Sequence, residues 1–194
     1  MKVTLIIDSS GSMEDIKKDS QKGINQILKD HKDKEFNIIE FGTYTDIKDR
    51  DWNINRKGEQ PDYGITILHE GVKGSKIGKY NLHPQGGTPL YDAIGAGLSM
   101  LDLDEKNFVA IVTDGEENQS NSWEKKHIKP LIEALTKAGV EFKFIGVGVD
   151  AYEASAGLGI AHHMAANFSF RDADMAMYSI SESIKDIEVD DEKL

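Results

Sequence analysis

The sequence contains no cysteine, which excludes disulfide bonds, zinc–thiolate sites and thiol nucleophiles. It also has no apolar stretch near the roughly 20 residues that a membrane-spanning helix needs. The apolar run at residues 3–7 meets Asp8 after five residues and is too short for a signal peptide. Because a chain without disulfides fits a reducing compartment, we expect a soluble, cytoplasmic protein.

Positive charge is scarce in this chain. Lys and Arg number 23 against 34 Asp and Glu, which gives a formal net charge of −11. Nucleic acids and anionic lipid surfaces both require a basic face, so we expect neither as a partner. Apolar residues make up 39% of the 194 and cluster in short runs, which favours a globular protein. We predict one domain over residues 1–187 and an acidic, solvated tail over 188–194.

Short apolar runs alternate along the chain with segments of helical periodicity. Strands are predicted at residues 3–7, 36–42, 108–113, 141–149 and 166–170. Helices are predicted at residues 13–31, 88–101, 123–138, 150–157 and 172–187. This alternation predicts a doubly wound α/β fold, with helices on both faces of a mostly parallel sheet. Residues 43–87 are irregular and rich in glycine, which indicates edge strands, β-like around 51–55 and 65–69, and long loops.

The starts of three helices are indicated by particular polar and proline residues. Ser12 is placed to cap the amino end of the first helix, and Thr88 that of the second, with Pro89 at the first helical position. Pro130 indicates that the third helix begins near this residue or is kinked there.

Three polar loops are expected to meet at one edge of the sheet. The first loop, residues 8–12, reads Asp-Ser-Ser-Gly-Ser and follows the first strand. The second loop, residues 85–90, brings a threonine to a helix start after two glycines. The third loop, residues 113–118, closes another apolar strand with an aspartate. In a doubly wound sheet the loops after the carboxyl ends of the strands form the binding crevice.

The side chains of these loops are hard oxygen ligands. Asp8 and Asp114 would neutralise a divalent cation, while Ser10, Ser12 and Thr88 would add neutral oxygens. Alternation along an extended first loop points its aspartate and two serines to one side. Since only two ligands are anionic, the cation keeps a position held by water, which a carboxylate from a partner could take.

The pattern Asp8-x-Ser10-x-Ser12, followed by Thr88 and then Asp114, resembles the metal-ion-dependent adhesion site of von Willebrand factor A and integrin I domains. The resemblance covers nearly the whole chain and extends to small single-domain members from bacteria and phages. It implies a Rossmann-like, six-stranded sheet with one antiparallel edge strand. It also implies that both serines and the threonine contact Mg²⁺ (or Mn²⁺ or Ca²⁺) directly, and that the two aspartates often bind the ion through a water molecule. The function it implies is metal-dependent protein binding, with a partner that offers a carboxylate and without catalysis.

Two other functions remain open on the residues. One is an accessory subunit of an AAA+ ATPase machine, in which the ATPase is a separate chain because no Walker sequence occurs here. The other is a metal-dependent hydrolase or phosphatase. Phosphatases of the haloacid dehalogenase type need a second aspartate two residues after the first, where this chain has Ser10, and no Gly-x-Ser-x-Gly elbow is present.

Other conspicuous residues receive structural interpretations. His162 and His163 are adjacent, so they point to different faces, and we predict surface or packing histidines rather than metal ligands. Trp52, Tyr63 and Tyr80 are predicted to serve in packing rather than in recognition. Two glutamates of the third loop have no role in the family pattern and either raise the local negative potential or are simply exposed; they are Glu116 and Glu117.

Overall fold

The structure, a computed structural model, describes the backbone of residues 1–42 and 64–191, and the side chains of these residues up to Ile187. The strands are β1 (Lys2–Asp8), β2 (Glu35–Phe41), β3 (Ile65–Lys73), β4 (Asn107–Thr113), β5 (Glu141–Val147) and β6 (Ala165–Phe168). They form one six-stranded sheet in the spatial order β3-β2-β1-β4-β5-β6. β3 pairs antiparallel to β2 at one edge, and all other neighbours pair in parallel. The expected mixed sheet with one antiparallel edge strand is confirmed.

Helices cover both faces of this sheet, as the alternation predicts. They are α1 (Lys17–Asp30), α2 (Leu90–Ser99), α3 (Lys125–Lys137), α4 (Ala151–Gly157) and α5 (Ala173–Asp191). Because side chains alternate across a strand, Leu5 and Ile7 of β1 enter one core with α1 and α5, whereas Ile6 enters the other with α2, α3 and α4. All seven residues of β4 are buried, which fits a central parallel strand covered on both faces.

The first helix begins differently from the expectation. A 3-10 helix, Gly11–Ile16, precedes α1, which starts at Lys17. Ser12 therefore lies within the 3-10 turn, and its predicted capping role is wrong. The physical reason is that its hydroxyl donates to the Asp114 carboxylate at 2.8 Å, across the sheet edge.

The other two boundary predictions are also corrected. α2 begins at Leu90 with Pro89 in the capping position, so Thr88 lies before the helix and does not cap it. α3 begins at Lys125 and passes through Pro130 without interruption. A reciprocal pair of hydrogen bonds between Glu124 and His127 fixes the start of this helix ahead of Pro130.

The carboxyl-terminal part of the chain follows the expected order with shifted ends. Asp150 accepts hydrogen bonds from two backbone N–H groups of α4, so the short helix begins as predicted. A 3-10 turn, Phe170–Asp172, separates β6 from α5. The backbone of α5 remains helical to Asp191, four residues into the segment expected as a tail.

The irregular region is described only in part. β3, Ile65–Lys73, confirms and lengthens the strand expected at residues 65–69. Tyr80 is buried in the core beside α1, so its packing role is confirmed. The strand expected at 51–55, with Trp52, and also Tyr63, lie outside the described residues.

Candidate metal centre

The first loop leaves the carboxyl end of β1 in a conformation held by its neighbours. Ser10 N donates to Asp8 Oδ1 at 2.7 Å, a local turn that aspartate favours. Ser9 N and Oγ both donate to Phe41 O, at 2.7 and 3.0 Å. On the other side, Gln85 N donates to Ser9 O at 2.8 Å. These bonds tie the first loop to β2 and to the second loop, and they set the direction of the Asp8 side chain.

Hydrogen bonds also join the first loop to the third. Thr113 Oγ1 donates to Asp8 Oδ2 at 2.6 Å, and Ser12 Oγ donates to Asp114 Oδ1 at 2.8 Å. The hydroxyls of Ser10 and Ser12 lie 3.1 Å apart. β1 and β4 are parallel neighbours, so residues at their carboxyl ends meet although about a hundred positions separate them in the chain. Four of the five predicted site residues are thereby linked through side chains.

The fifth residue, Thr88, is held by the third loop. Its backbone N–H donates to Asn118 Oδ1 at 2.9 Å, and its carbonyl accepts from Asn118 N at 3.1 Å. A Cβ at Gly115 would lie 3.3 Å from Thr88 Oγ1 and 4.0 Å from Asp8 Oδ2. The threonine hydroxyl and the Asp8 carboxylate therefore face the same small space, which a side chain at Gly115 would narrow.

Both carboxylates of the cluster are removed from water. Asp8 is fully buried and Asp114 is 6% exposed. Burial raises the pKa of Asp8 to about 6, against hydrogen bonds from Thr113 and Ser10 that lower it, and the charge of Asp114 raises it further. Burial likewise raises the pKa of Asp114. No cationic side chain is among the described groups that shift either pKa.

An oxygen atom of the cluster lacks the hydrogen bond that a buried polar atom requires. Asp114 Oδ2 is buried and has no hydrogen-bond partner among the residues that the structure describes. Two buried carboxylates, one of them with an unsatisfied oxygen, and three hydroxyls are groups of the kind that a hard divalent cation prefers as ligands. Within the described part of the chain no cluster of three or more His, Cys, Asp or Glu exists, so the alternative of an all-acidic or histidine-rich site has no support there.

The raised pKa of Asp8 predicts opposite effects of pH on the metal-free and metal-bound protein. Without metal, a pKa raised from 3.8 to about 6 favours the protonated folded state, so this contribution to stability is present below about pH 4 and is lost as the pH rises through about 6. A metal requires the carboxylate, so its binding strengthens over the same interval.

We therefore expect Mg²⁺ to bind about tenfold more weakly at about pH 5 than above pH 7, since the lower pH lies about one unit below the Asp8 pKa. Thermal denaturation with and without Mg²⁺ measures this as a larger rise in Tm at the higher pH. An equal rise at both pH values would contradict the involvement of Asp8.

Several residues that position the cluster were not assigned from the sequence. Thr113 precedes a predicted ligand and orients the Asp8 carboxylate, and Asn118 fixes Thr88. Glu117 accepts from Tyr91 N at 2.9 Å, so it satisfies an N–H group at the start of α2. Their only signal in the sequence is proximity to Asp114, because each acts through a partner remote along the chain.

Asp92 in the first turn of α2 anchors the segment after the third loop. Its buried carboxylate accepts backbone N–H groups of Asn121, Ser122 and Trp123, at 2.8, 3.0 and 2.7 Å. The segment after the third loop is therefore held against the helix that follows the second loop. Glu116, the other glutamate of the third loop, is exposed.

The histidine pair lies on the surface of the protein. His162 and His163 are exposed, and the ring of His162 stacks on Tyr152 with centroids 4.1 Å apart. Their prediction as surface histidines is confirmed.

No family model and no curated protein matches the sequence. Solved structures with a similar fold are found at low identity. Proximal thread matrix protein 1 from the mussel byssus has a TM-score of 0.65 at 16% identity, over 93% of this chain and 44% of that one. The pilus adhesin SpaC from Lactobacillus rhamnosus GG, in its open conformation, has a TM-score of 0.70 at 14% identity, over 95% and 30%. The SpRpn10 VWA domain has a TM-score of 0.55 at 13% identity, over 87% and 86%.

The chain has the von Willebrand factor A fold. The mussel protein has also been solved with zinc occupying its metal-ion-dependent adhesion site, and that structure has a TM-score of 0.59 at 13% identity. The chain spans less than half the length of the mussel protein and of the adhesin, and it matches the separate VWA domain over most of both chains. Among the helices in residues 1–42 and 64–191, none is both long and apolar enough to cross a membrane.

Proposed function

We propose that this von Willebrand factor A fold is a metal-dependent protein-binding module of the adhesion or scaffold type. Its cation, Mg²⁺ with Mn²⁺ or Ca²⁺ as alternatives, would be held by Asp8, Ser10, Ser12, Thr88 and Asp114. The single observation that carries the proposal is the buried Asp114 Oδ2 without a hydrogen-bond partner among the described residues, beside a second buried carboxylate. A divalent cation bound there compensates both charges.

The partner we propose is a protein that offers a carboxylate. Two carboxylate ligands balance a divalent cation without excess negative charge, so the ion still attracts a further anion. Ser12 is the exposed member of the cluster, so the site opens to solvent on its side. A partner's Asp or Glu side chain can approach from that side. Without the cation, only hydroxyl groups would be there to bind this carboxylate, and they would bind it weakly.

Binding is favoured over catalysis by how the acidic groups are used. Both oxygens of Asp8 accept hydrogen bonds, and Asp114 Oδ1 accepts from Ser12. A general base needs a carboxylate oxygen that is free to receive a proton from substrate. Neither oxygen of Asp8 is free, and the unpartnered oxygen of Asp114, Oδ2, is the one that we assign to the cation. We therefore propose a function without an enzymatic step, and, from the absence of cysteine, a cytoplasmic location.

Calorimetric titration with Mg²⁺, Mn²⁺ and Ca²⁺ tests the metal, and affinity capture from native lysate tests the partner. We expect saturable binding of at least one cation, a higher Tm in its presence, and a captured protein that is released by chelator. Capture that is equally strong in Mg²⁺ and in EDTA would contradict a metal-mediated contact. Phosphoester hydrolysis that requires both the metal and Asp8 would instead favour the hydrolase alternative.

A further inference from the structure

An exposed aromatic side chain lies at the same edge of the sheet as the metal centre. Phe170 follows the carboxyl end of β6 by two residues, and its side chain is 48% exposed. The 3-10 turn to which it belongs, Phe170–Asp172, packs against the 3-10 turn Gly11–Ile16. Since Gly11–Ile16 contains Ser12, the aromatic ring is carried by a segment that neighbours one of the proposed ligand-bearing segments.

The backbone below holds Phe170 in a defined position. A Cβ at Gly148 would lie 2.5 Å from Phe170 Cζ, so the ring rests directly on the glycine backbone. Gly148 has a φ of 75°, which glycine adopts at little cost. The turn itself is closed by a hydrogen bond from Ser169 Oγ to Asp172 Oδ2 at 2.5 Å. A rigid, half-exposed aromatic residue loses little entropy on binding, as residues that dominate interfaces do.

The next residue supplies a charge of the sign that an acidic partner needs. Arg171 is exposed, is the sole arginine among the described residues, and forms no ion pair with any of them. The chain has a net charge of −11, so a partner carboxylate approaching the edge meets overall repulsion. A guanidinium on a turn that neighbours the first loop opposes that repulsion locally and can bind a carboxylate through two hydrogen bonds.

We infer that Phe170 and Arg171 form a second contact of the partner-binding face and determine its specificity. The occupant is an acidic segment of a partner protein. One carboxylate of that segment completes the metal coordination, a large apolar side chain a few residues away packs on Phe170, and a second carboxylate pairs with Arg171. The inference rests on the proposed function, because it takes the metal-bound carboxylate as the anchor of the segment.

A phage-displayed library of short random peptides, selected on the full chain in Mg²⁺ and eluted with EDTA, tests this inference. We expect the eluted sequences to combine Asp or Glu with a large apolar residue. The selected peptides should bind Phe170→Ala about tenfold more weakly than the unmodified chain, as for loss of an interface anchor. Arg171→Ala should weaken binding most at low salt. Leu103→Ala and Lys137→Ala are the matched controls, because both residues are exposed at the opposite edge of the sheet. Peptide binding should be unchanged in both.

The outcomes separate this inference from the proposed function. Eluted peptides that are acidic but lack apolar residues, or that bind Phe170→Ala as tightly as the unmodified chain, overturn the second contact while the metal-mediated contact stands. If Mg²⁺ binds in calorimetry but EDTA elutes no peptide, the inferred occupant is wrong and the metal site is retained. If Mg²⁺ does not bind at all, the proposed function fails, and the second contact fails with it.

Discussion

The double replacement Asp8→Ala, Asp114→Ala is expected to abolish Mg²⁺ binding, with a loss of affinity greater than about 100-fold. Removing a residue that merely supports a metal ligand already weakens binding by about 10- to 100-fold. This variant removes both anionic groups and leaves only hydroxyls. Calorimetric titration should show no saturable heat, and the rise in Tm caused by Mg²⁺ should disappear.

The single variant Asp114→Asn separates loss of the site from loss of the fold. Asparagine keeps an oxygen that can accept from Ser12, and it removes a charge whose burial costs free energy. We expect this variant to fold with a Tm close to that of the metal-free protein and to bind Mg²⁺ weakly.

Glu116→Gln is the matched control for charge. Glu116 is exposed and lies two residues from Asp114, so its replacement removes one negative charge near the site without removing a proposed ligand. Its Mg²⁺ affinity should stay within about twofold of the unmodified value, since exposed charges are strongly screened. Unchanged affinity in the double variant would falsify the five-residue site. An equal loss in Glu116→Gln would mean that general negative potential, rather than coordination, attracts the cation.

Gly42→Ala is expected to lower the free energy of unfolding by about 1–3 kcal/mol, the usual cost of overpacking, and to weaken Mg²⁺ binding as well. A Cβ at this position would lie 2.7 Å from Ser9 O and 2.9 Å from Gln85 O. Both contacts are backbone atoms, of the first and second loops, so no side chain can rotate away. The loops must separate, and the hydrogen bond from Gln85 N to Ser9 O is strained as they do.

Thermal denaturation and Mg²⁺ titration of Gly42→Ala measure both effects. A loss of 1 kcal/mol corresponds to a decrease in Tm of about 2–4 °C for a domain of this size. Gly78→Ala is the matched control, because a Cβ there meets no described atom within 4 Å and the residue is exposed. We expect no loss of stability or affinity in the control. A Gly42→Ala protein with unchanged Tm and affinity would show that the loops do not depend on this close approach.

The regular elements were predictable because their signals are local. The run at residues 108–113 is continuously apolar and became β4, which is buried throughout. Apolar spacing predicted α1 and α5, whose buried residues face one core. The helix starts were less predictable, because the polar side chains near them had remote alternatives. Ser12 bonds to Asp114 instead of capping a helix, and the Glu124–His127 pair starts α3 ahead of Pro130.

The candidate ligands were predictable for a different reason. Asp8 and Asp114 each end an apolar run, so strand periodicity alone placed them at the edge where parallel strands end. Thr113, Asn118 and Gly42 gave no such signal. Each works by touching a loop remote in the chain, and only the order of the strands shows which loops are neighbours.

The sequence by itself determined an acidic, cysteine-free chain in which strands alternate with helices, and it placed oxygen-bearing side chains in three loops. These properties follow from the composition of the chain and from the local spacing of its apolar residues, and neither depends on how distant segments pack. The tertiary structure alone decided that Asp114 Oδ2 is buried without a hydrogen-bond partner among the described residues, that burial raises the pKa of Asp8 to about 6, and that Phe170 rests on Gly148 beside the first loop. The burial of a carboxylate and the close approach of a ring to a glycine depend on which segments pack together. Segments distant in the chain pack together only when the sheet forms.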